Sequence, residues 1–193
     1  MRTTVKDRWK SPRGTIAQAY ENNDYGYVFH AGILFLEFLR STNLKPSELN
    51  NLRILDYGCG TGRVTRFVAL TGAKVTGYDP TPECIEESKI EELKSVKTSL
   101  MPVKFTSDFS EVGGNFDIVF CINVLDHLTI EEHRIAVKNI VDSLKEGGEC
   151  YLWINKMDPL PMKDSAAIRA LNTNVIIVRG KKINGDIQLY EKV

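Results

Sequence analysis

Apolar positions recur along this chain in two alternating rhythms. Short apolar runs such as Ile54-Leu55 and Ile118-Val119-Phe120 are bounded by turn residues, and between them lie stretches whose apolar residues return every three to four positions. From residue 53 onward this alternation predicts βαβ units and a parallel sheet.

The predicted strands are Arg53 to Tyr57, Lys74 to Tyr78, Val103 to Thr106, Asp117 to Ile122 and Glu149 to Asn155. Helices are predicted from Arg63 to Leu70, closed by Gly72, and through about Ser95 after a Thr81 N-cap with Pro82 at the first helical position. Thr129 and Glu132 form a capping box for a helix carrying Val137, Ile140, Val141 and Leu144, which Gly147 and Gly148 are expected to end. A short helix is expected at about Lys163 to Leu171. The dipeptide Asn184-Gly185 then signals a two-residue hairpin between two last strands. The sum is a doubly wound α/β fold: a mostly parallel, seven-stranded sheet with an antiparallel C-terminal hairpin. Its ligand crevice belongs at the carboxyl ends of the strands.

Ahead of the first strand, Tyr25, Val28, Phe29, Gly32, Ile33, Leu36 and Leu39 share helical spacing and predict an amphipathic helix over residues 26–41, with a shorter one over 15–22. These are cap helices. Residues 1–50 form the arm and cap and residues 51–193 the core of one domain, a size that suits a single hydrophobic core.

Composition narrows the class. Hydrophobic residues are 42% and charged residues 26%, and no apolar run approaches the roughly 20 residues that span a bilayer. Met1 to Arg13 is polar and basic without an apolar signal core, so a cytoplasmic, soluble protein is the expectation, with no membrane partner. Lys plus Arg equals Asp plus Glu at 25 each, which gives no general attraction for nucleic acid. The local exception is the arm, with Arg2, Lys6, Arg8, Lys10 and Arg13 against Asp7, read as either solvated or anion-contacting. Cys59, Cys84, Cys121 and Cys150 form no CxxC pair and are expected to be reduced thiols. Scattered histidines without an HxxxH pair predict no metal site.

The chemistry points to one turn. Asp56-Tyr57-Gly58-Cys59-Gly60-Thr61-Gly62-Arg63 sets three glycines between a strand and a helix, where the backbone turns tightly and approaches a ligand closely. Arg63 stands where a dinucleotide fingerprint needs its third glycine, and no GxxxxGK run followed by Ser or Thr is present.

Asp56-x-Gly58-x-Gly60-x-Gly62 resembles motif I of the class I S-adenosylmethionine-dependent methyltransferases, and the resemblance runs from about residue 52 to 153. It implies a Rossmann-like core and S-adenosylmethionine as cofactor. Asp79, closing the second strand, corresponds to the family's ribose-binding acid. Asp108 and Phe109 fall where the family meets the adenine, and Asn123, with Asp56, falls at the methionine end. Asn115 to Phe120 and Leu144 to Gly148 resemble later motifs of the same family.

The resemblance further implies a small-molecule acceptor methylated at oxygen or nitrogen. His127, in Val124-Leu125-Asp126-His127-Leu128, is the candidate general base, with capping or packing of the next helix as the other reading. Tyr20 and Tyr25 are candidates for the acceptor pocket, core packing being the alternative for each. Methylation of RNA or protein, and an inactive cofactor-binding module, stand beside the first reading; the acceptor and oligomeric state are not encoded legibly.

Overall fold

The computed structural model describes residues 25–95, 102–125, 128–155 and 175–192. The expected helices at 15–22 and 163–171, the basic arm, Tyr20 and His127 lie outside these.

Helix α1 spans Tyr25–Thr42, followed by β1 (Arg53–Tyr57), α2 (Arg63–Ala69), β2 (Lys74–Tyr78), α3 (Pro82–Ser95) and β3 (Lys104–Thr106). Then come β4 (Phe116–Ile122), α4 (Ile130–Ser143), β5 (Leu144–Asn155), β6 (Val175–Ile183) and β7 (Asp186–Lys192). The seven strands form one sheet in the order β3-β2-β1-β4-β5-β6-β7. Pairing is parallel from β3 through β5 and antiparallel for β5 with β6 and β6 with β7. The doubly wound sheet with an antiparallel end is therefore the architecture.

Both faces of the central strands are covered, which is why their sequences are nearly continuous apolar runs. On one face Ile54, Ile118, Phe120, Tyr151 and Trp153 meet Phe38 of α1, Val68 of α2 and Ile85 of α3. On the other, Leu55, Val119, Cys121 and Cys150 meet Ala136 and Ile140 of α4. The capping box of α4 is present: Glu132 N–H donates to Thr129 Oγ1 at 3.4 Å, and Thr129 N–H donates to Glu132 Oε2 at 2.8 Å. Asn184 and Gly185 take φ values of 54° and 85°, the paired left-handed conformation of a tight hairpin.

Two expectations need correction. The buried stripe of α1 is only in part the one the spacing suggested: among the described side chains Leu39 packs on the core as expected, but Leu36 is 63% exposed, whereas Ala31 and Phe38 are fully buried. Among the described side chains the stripe is Ala31, Leu34, Phe35, Phe38 and Leu39, because a helix that is apolar nearly all round does not select its own face. Nor do Gly147 and Gly148 end α4. The helix stops at Ser143, and Leu144, 2% exposed, is already extended and paired with Phe116. The register then jumps to Ile118 against Glu149, so residues 145–148 form a bulge opposite Asp117. Lys145 meets the Asp117 carboxylate there.

None of the four cysteines is in a disulfide. Among the described residues no helix is long and apolar enough to cross a membrane.

Candidate cofactor site at the sheet switch point

The chain runs outward from β1 to β3, then returns to lay β4 on the other side of β1. The crevice beyond the carboxyl ends of β1 and β4 is thus the topological switch point, where doubly wound sheets bind ligands. The glycine turn follows β1 into that crevice. Gly58 and Cys59 both donate their N–H groups to Tyr78 O, at 2.7 and 2.9 Å, so the turn is fastened to the end of β2.

Gly58, Gly60 and Gly62 all have positive φ, at 82°, 55° and 74°. Besides that conformation, Gly58 faces a close neighbour: a Cβ there would lie 2.3 Å from Val124 Cγ2, just past β4. Gly60 is the opposite case, with nothing within 4 Å of where its Cβ would be. The middle of the turn therefore opens to space that a ligand can enter.

Asp79 closes β2 and reaches back to the turn. Gly60 N–H donates to its Oδ2 at 2.9 Å, and Thr81 N–H donates to its Oδ1 at 2.9 Å. Burial pushes the Asp79 carboxyl above the usual carboxylate range, while the bonds from Thr81 and Gly60 oppose that rise. A carboxylate accepts about four hydrogen bonds, so two fixed backbone donors orient it without exhausting it.

Asp56 lies deeper, 4% exposed, and its Oδ2 accepts from Thr65 Oγ1 at 2.6 Å. Burial lifts its pKa to about 7, the Thr65 hydrogen bond opposes, and the nearby Asp79 charge adds to the rise. Two carboxyl groups thus stand at one turn, Asp56 buried behind it and Asp79 hydrogen-bonded to its backbone.

Asn123 follows β4 in left-handed conformation, φ 56°, and its N–H donates to Trp153 O at 3.2 Å, joining the ends of β4 and β5. Asp108 is exposed and caps the short turn Phe109–Glu111: its Oδ1 accepts from Ser110 N–H at 2.9 Å and Ser110 Oγ at 2.7 Å. Those bonds, the side-chain one first, hold it below the ordinary carboxylate value. Phe109 packs edge-on against Tyr78, with ring centroids 5.3 Å apart, and against Tyr57 at 6.1 Å. The structure thus gathers Asp56, Gly58, Gly60, Gly62 and Asp79 at one turn, with Asn123 across the switch point and Asp108 and Phe109 beside the end of β3. Tyr25 opens α1, its side chain outside the described set.

Sequence reasoning missed the supports. Thr65 and Ser88 are buried polar residues on α2 and α3, indistinguishable in sequence from ordinary helix positions. Gly77 did carry a signal, since glycine inside a strand marks close approach. A Cβ there would lie 2.7 Å from the Phe105 ring and 3.0 Å from Cys59 Sγ.

Comparison with known proteins is consistent with this geometry. A family model described as a methyltransferase domain matches residues 55–150. Ubiquinone biosynthesis O-methyltransferase of Xanthomonas euvesicatoria pv. vesicatoria (strain 85-10) is 32% identical over 106 residues, covering 54% of this chain and 44% of that protein. Its namesake from Xanthomonas axonopodis pv. citri (strain 306) is 31% identical over 118 residues, covering 61% and 47%. This chain spans about half the length of the curated relatives it matches. Among solved structures, magnesium protoporphyrin IX methyltransferase from Synechocystis PCC 6803 with bound SAM superposes with a TM-score of 0.57 at 20% identity, covering 97% of this chain and 89% of that one. At that identity the likeness is one of fold.

Proposed function

The chain belongs to the class I S-adenosylmethionine-dependent methyltransferases, and from that premise we propose that it methylates a small molecule, at oxygen in preference to nitrogen. The preference for oxygen rests on the matched curated relatives, which are named as O-methyltransferases. The observation that carries the reading is the pairing of Asp79 with the open Gly60: a fixed carboxylate beside a stretch of backbone that leaves room for a ligand.

The residues present fit the cofactor. Asp79 accepts the two ribose hydroxyls while keeping its bonds to Gly60 and Thr81. Asp56 and Asn123 serve the methionine end, where the buried Asp56 carboxyl offsets positive charge. Asp108 and Phe109 border the adenine, Asp108 through acceptor capacity beyond its bonds to Ser110 and Phe109 through an edge of its aromatic cluster. The bound cofactor supplies a methyl group on a sulfonium, ready for in-line displacement.

The protein's task is then to align the acceptor and exclude water, and such positioning supplies roughly 7–11 kcal/mol in well-oriented systems. A general base adds about two to four powers of ten in rate; His127 is proposed for it, because in the sequence it follows the strand β4 and imidazole titrates near neutral pH. Tyr20 and Tyr25 are proposed to border the acceptor, with the residues before 51 as its cover and residues 51–193 as the cofactor-binding core.

Calorimetric titration with S-adenosylmethionine and S-adenosylhomocysteine tests the reading. Binding of both, weakened in Asp79→Ala, is expected and opens the way to a screen of hydroxyl-bearing acceptors. Absence of binding to either overturns it, and binding without transfer to any acceptor class leaves an inactive binding module.

A further inference from the structure

Three glycines in five residues make the turn intrinsically loose, because glycine loses more backbone freedom on folding than any other residue. Its N–H side is fastened by Tyr78 O and Asp79. Its carbonyl side is fastened by one residue of α2 and one of α3. Arg66 Nη1 donates to Thr61 O at 2.8 Å, and Arg66 Nη2 donates to Ser88 O on α3 at 2.6 Å. Ser88 Oγ, fully buried, lies 3.2 Å from Gly60 O and 2.8 Å from Cys84 O and shares its proton between them. The Arg66 guanidinium sits over the Phe105 ring, 5.3 Å from its centroid, and that same ring fills the space beside Gly62 and Gly77.

One arginine therefore ties the turn, α2, α3 and β3 together. We propose that Arg66 and Ser88 are positioning residues for cofactor binding: they clamp the carbonyls of Gly60 and Thr61 so that the open face of the turn is preset before a ligand arrives. Neither residue needs to touch the cofactor. A ligand meeting a fixed turn does not lose affinity to ordering it, which is the general benefit of preorganisation. Arg66 is suited to the task because its planar fork serves two carbonyls at once, a geometry the lysine ammonium does not reproduce.

The inference rests on the cofactor reading for its purpose but not for its test. Backbone amide exchange of residues 58–62 is measured in the ligand-free protein for wild type, Arg66→Lys, Arg66→Met and Ser88→Ala, with β5 as internal reference. The expected result is faster exchange confined to the turn, together with S-adenosylhomocysteine affinity lower by about tenfold in Arg66→Met, a loss of about 1.4 kcal/mol. Smaller losses are expected in Arg66→Lys and Ser88→Ala, measured well below each variant's melting temperature. Should Arg66→Met fail to fold, the two milder variants decide. Unchanged turn exchange and unchanged affinity in folded variants overturn the proposal, as does exchange raised equally in the turn and in β5, the mark of general destabilisation. If wild type binds no cofactor, the cofactor reading falls, while the exchange data still judge the clamp.

Discussion

Gly60 N–H donates to the Asp79 carboxylate at 2.9 Å, so the residue just past one strand and the middle of the turn after its neighbour form a single unit. The second oxygen of Asp79 is held in the same way by Thr81. A side chain whose two oxygens are each pinned by a backbone donor cannot rotate without losing both bonds.

Replacing Asp79 by Asn sets an amide NH2 against one of two backbone donors. The expected cost is about 1–3 kcal/mol, as for a half-buried donor left without an acceptor. Thermal unfolding should show this, and calorimetry should show at least about tenfold weaker S-adenosylmethionine binding, since one good acceptor and the charge are gone.

Gly58→Ala brings a methyl group to within 2.3 Å of Val124 Cγ2 at a φ of 82°. Strain and overpacking together should destabilise the fold by about 2–4 kcal/mol. Adding Val124→Ala should recover the steric part and leave the backbone part, so a double-mutant cycle should show coupling of about 1 kcal/mol or more. Additive losses would mean that the side chains do not meet.

The raised pKa of Asp56 makes stability fall with pH. The folded protein holds a proton on Asp56 up to about pH 7 that the unfolded chain releases near 3.8. The favourable contribution is complete below pH 3.8 and lost as pH rises to about 7, with a slope of up to about 1.4 kcal/mol per pH unit. Asp79, also raised, acts in the same direction. Asp56→Asn, which still offers Thr65 an acceptor, should flatten this dependence in denaturation curves between pH 3.8 and about 7. A cationic ligand favours the ionised form, so S-adenosylmethionine binding should strengthen from pH 6 to about 8 in wild type and lose that dependence in the variant.

Lys182 on β6 donates from Nζ to Val141 O and Leu144 O, both at 2.9 Å, and so closes the C-terminal end of α4. Lysine there satisfies terminal carbonyls and opposes the negative end of the helix dipole. Lys182→Met keeps most of the stem and removes the donor. It should cost about 1 kcal/mol in urea unfolding with little change in cofactor affinity, since the contact lies away from the glycine turn.

Among the described residues, the order of strands and helices, the strand limits of β1 and β2, the hairpin at Asn184-Gly185 and the capping box of α4 were all legible in the sequence. Each is set by local chemistry: apolar period, glycine conformation, a hydroxyl three residues before a carboxylate. The glycine turn and Asp79 were legible for the same reason, as residues whose type is dictated by backbone geometry or charge at a strand end. What only the tertiary structure decided depends on partners distant in the chain. Leu36 and Phe38 look alike in sequence, and packing on α2 and the sheet buries one and exposes the other. Leu144 leaves the helix before Gly147 because Phe116 of β4 offers it a strand partner. Thr65, Arg66 and Ser88 became visible as supports of the site only when α2 and α3 came together around the turn, because a hydrogen bond between residues 22 apart leaves no periodic trace.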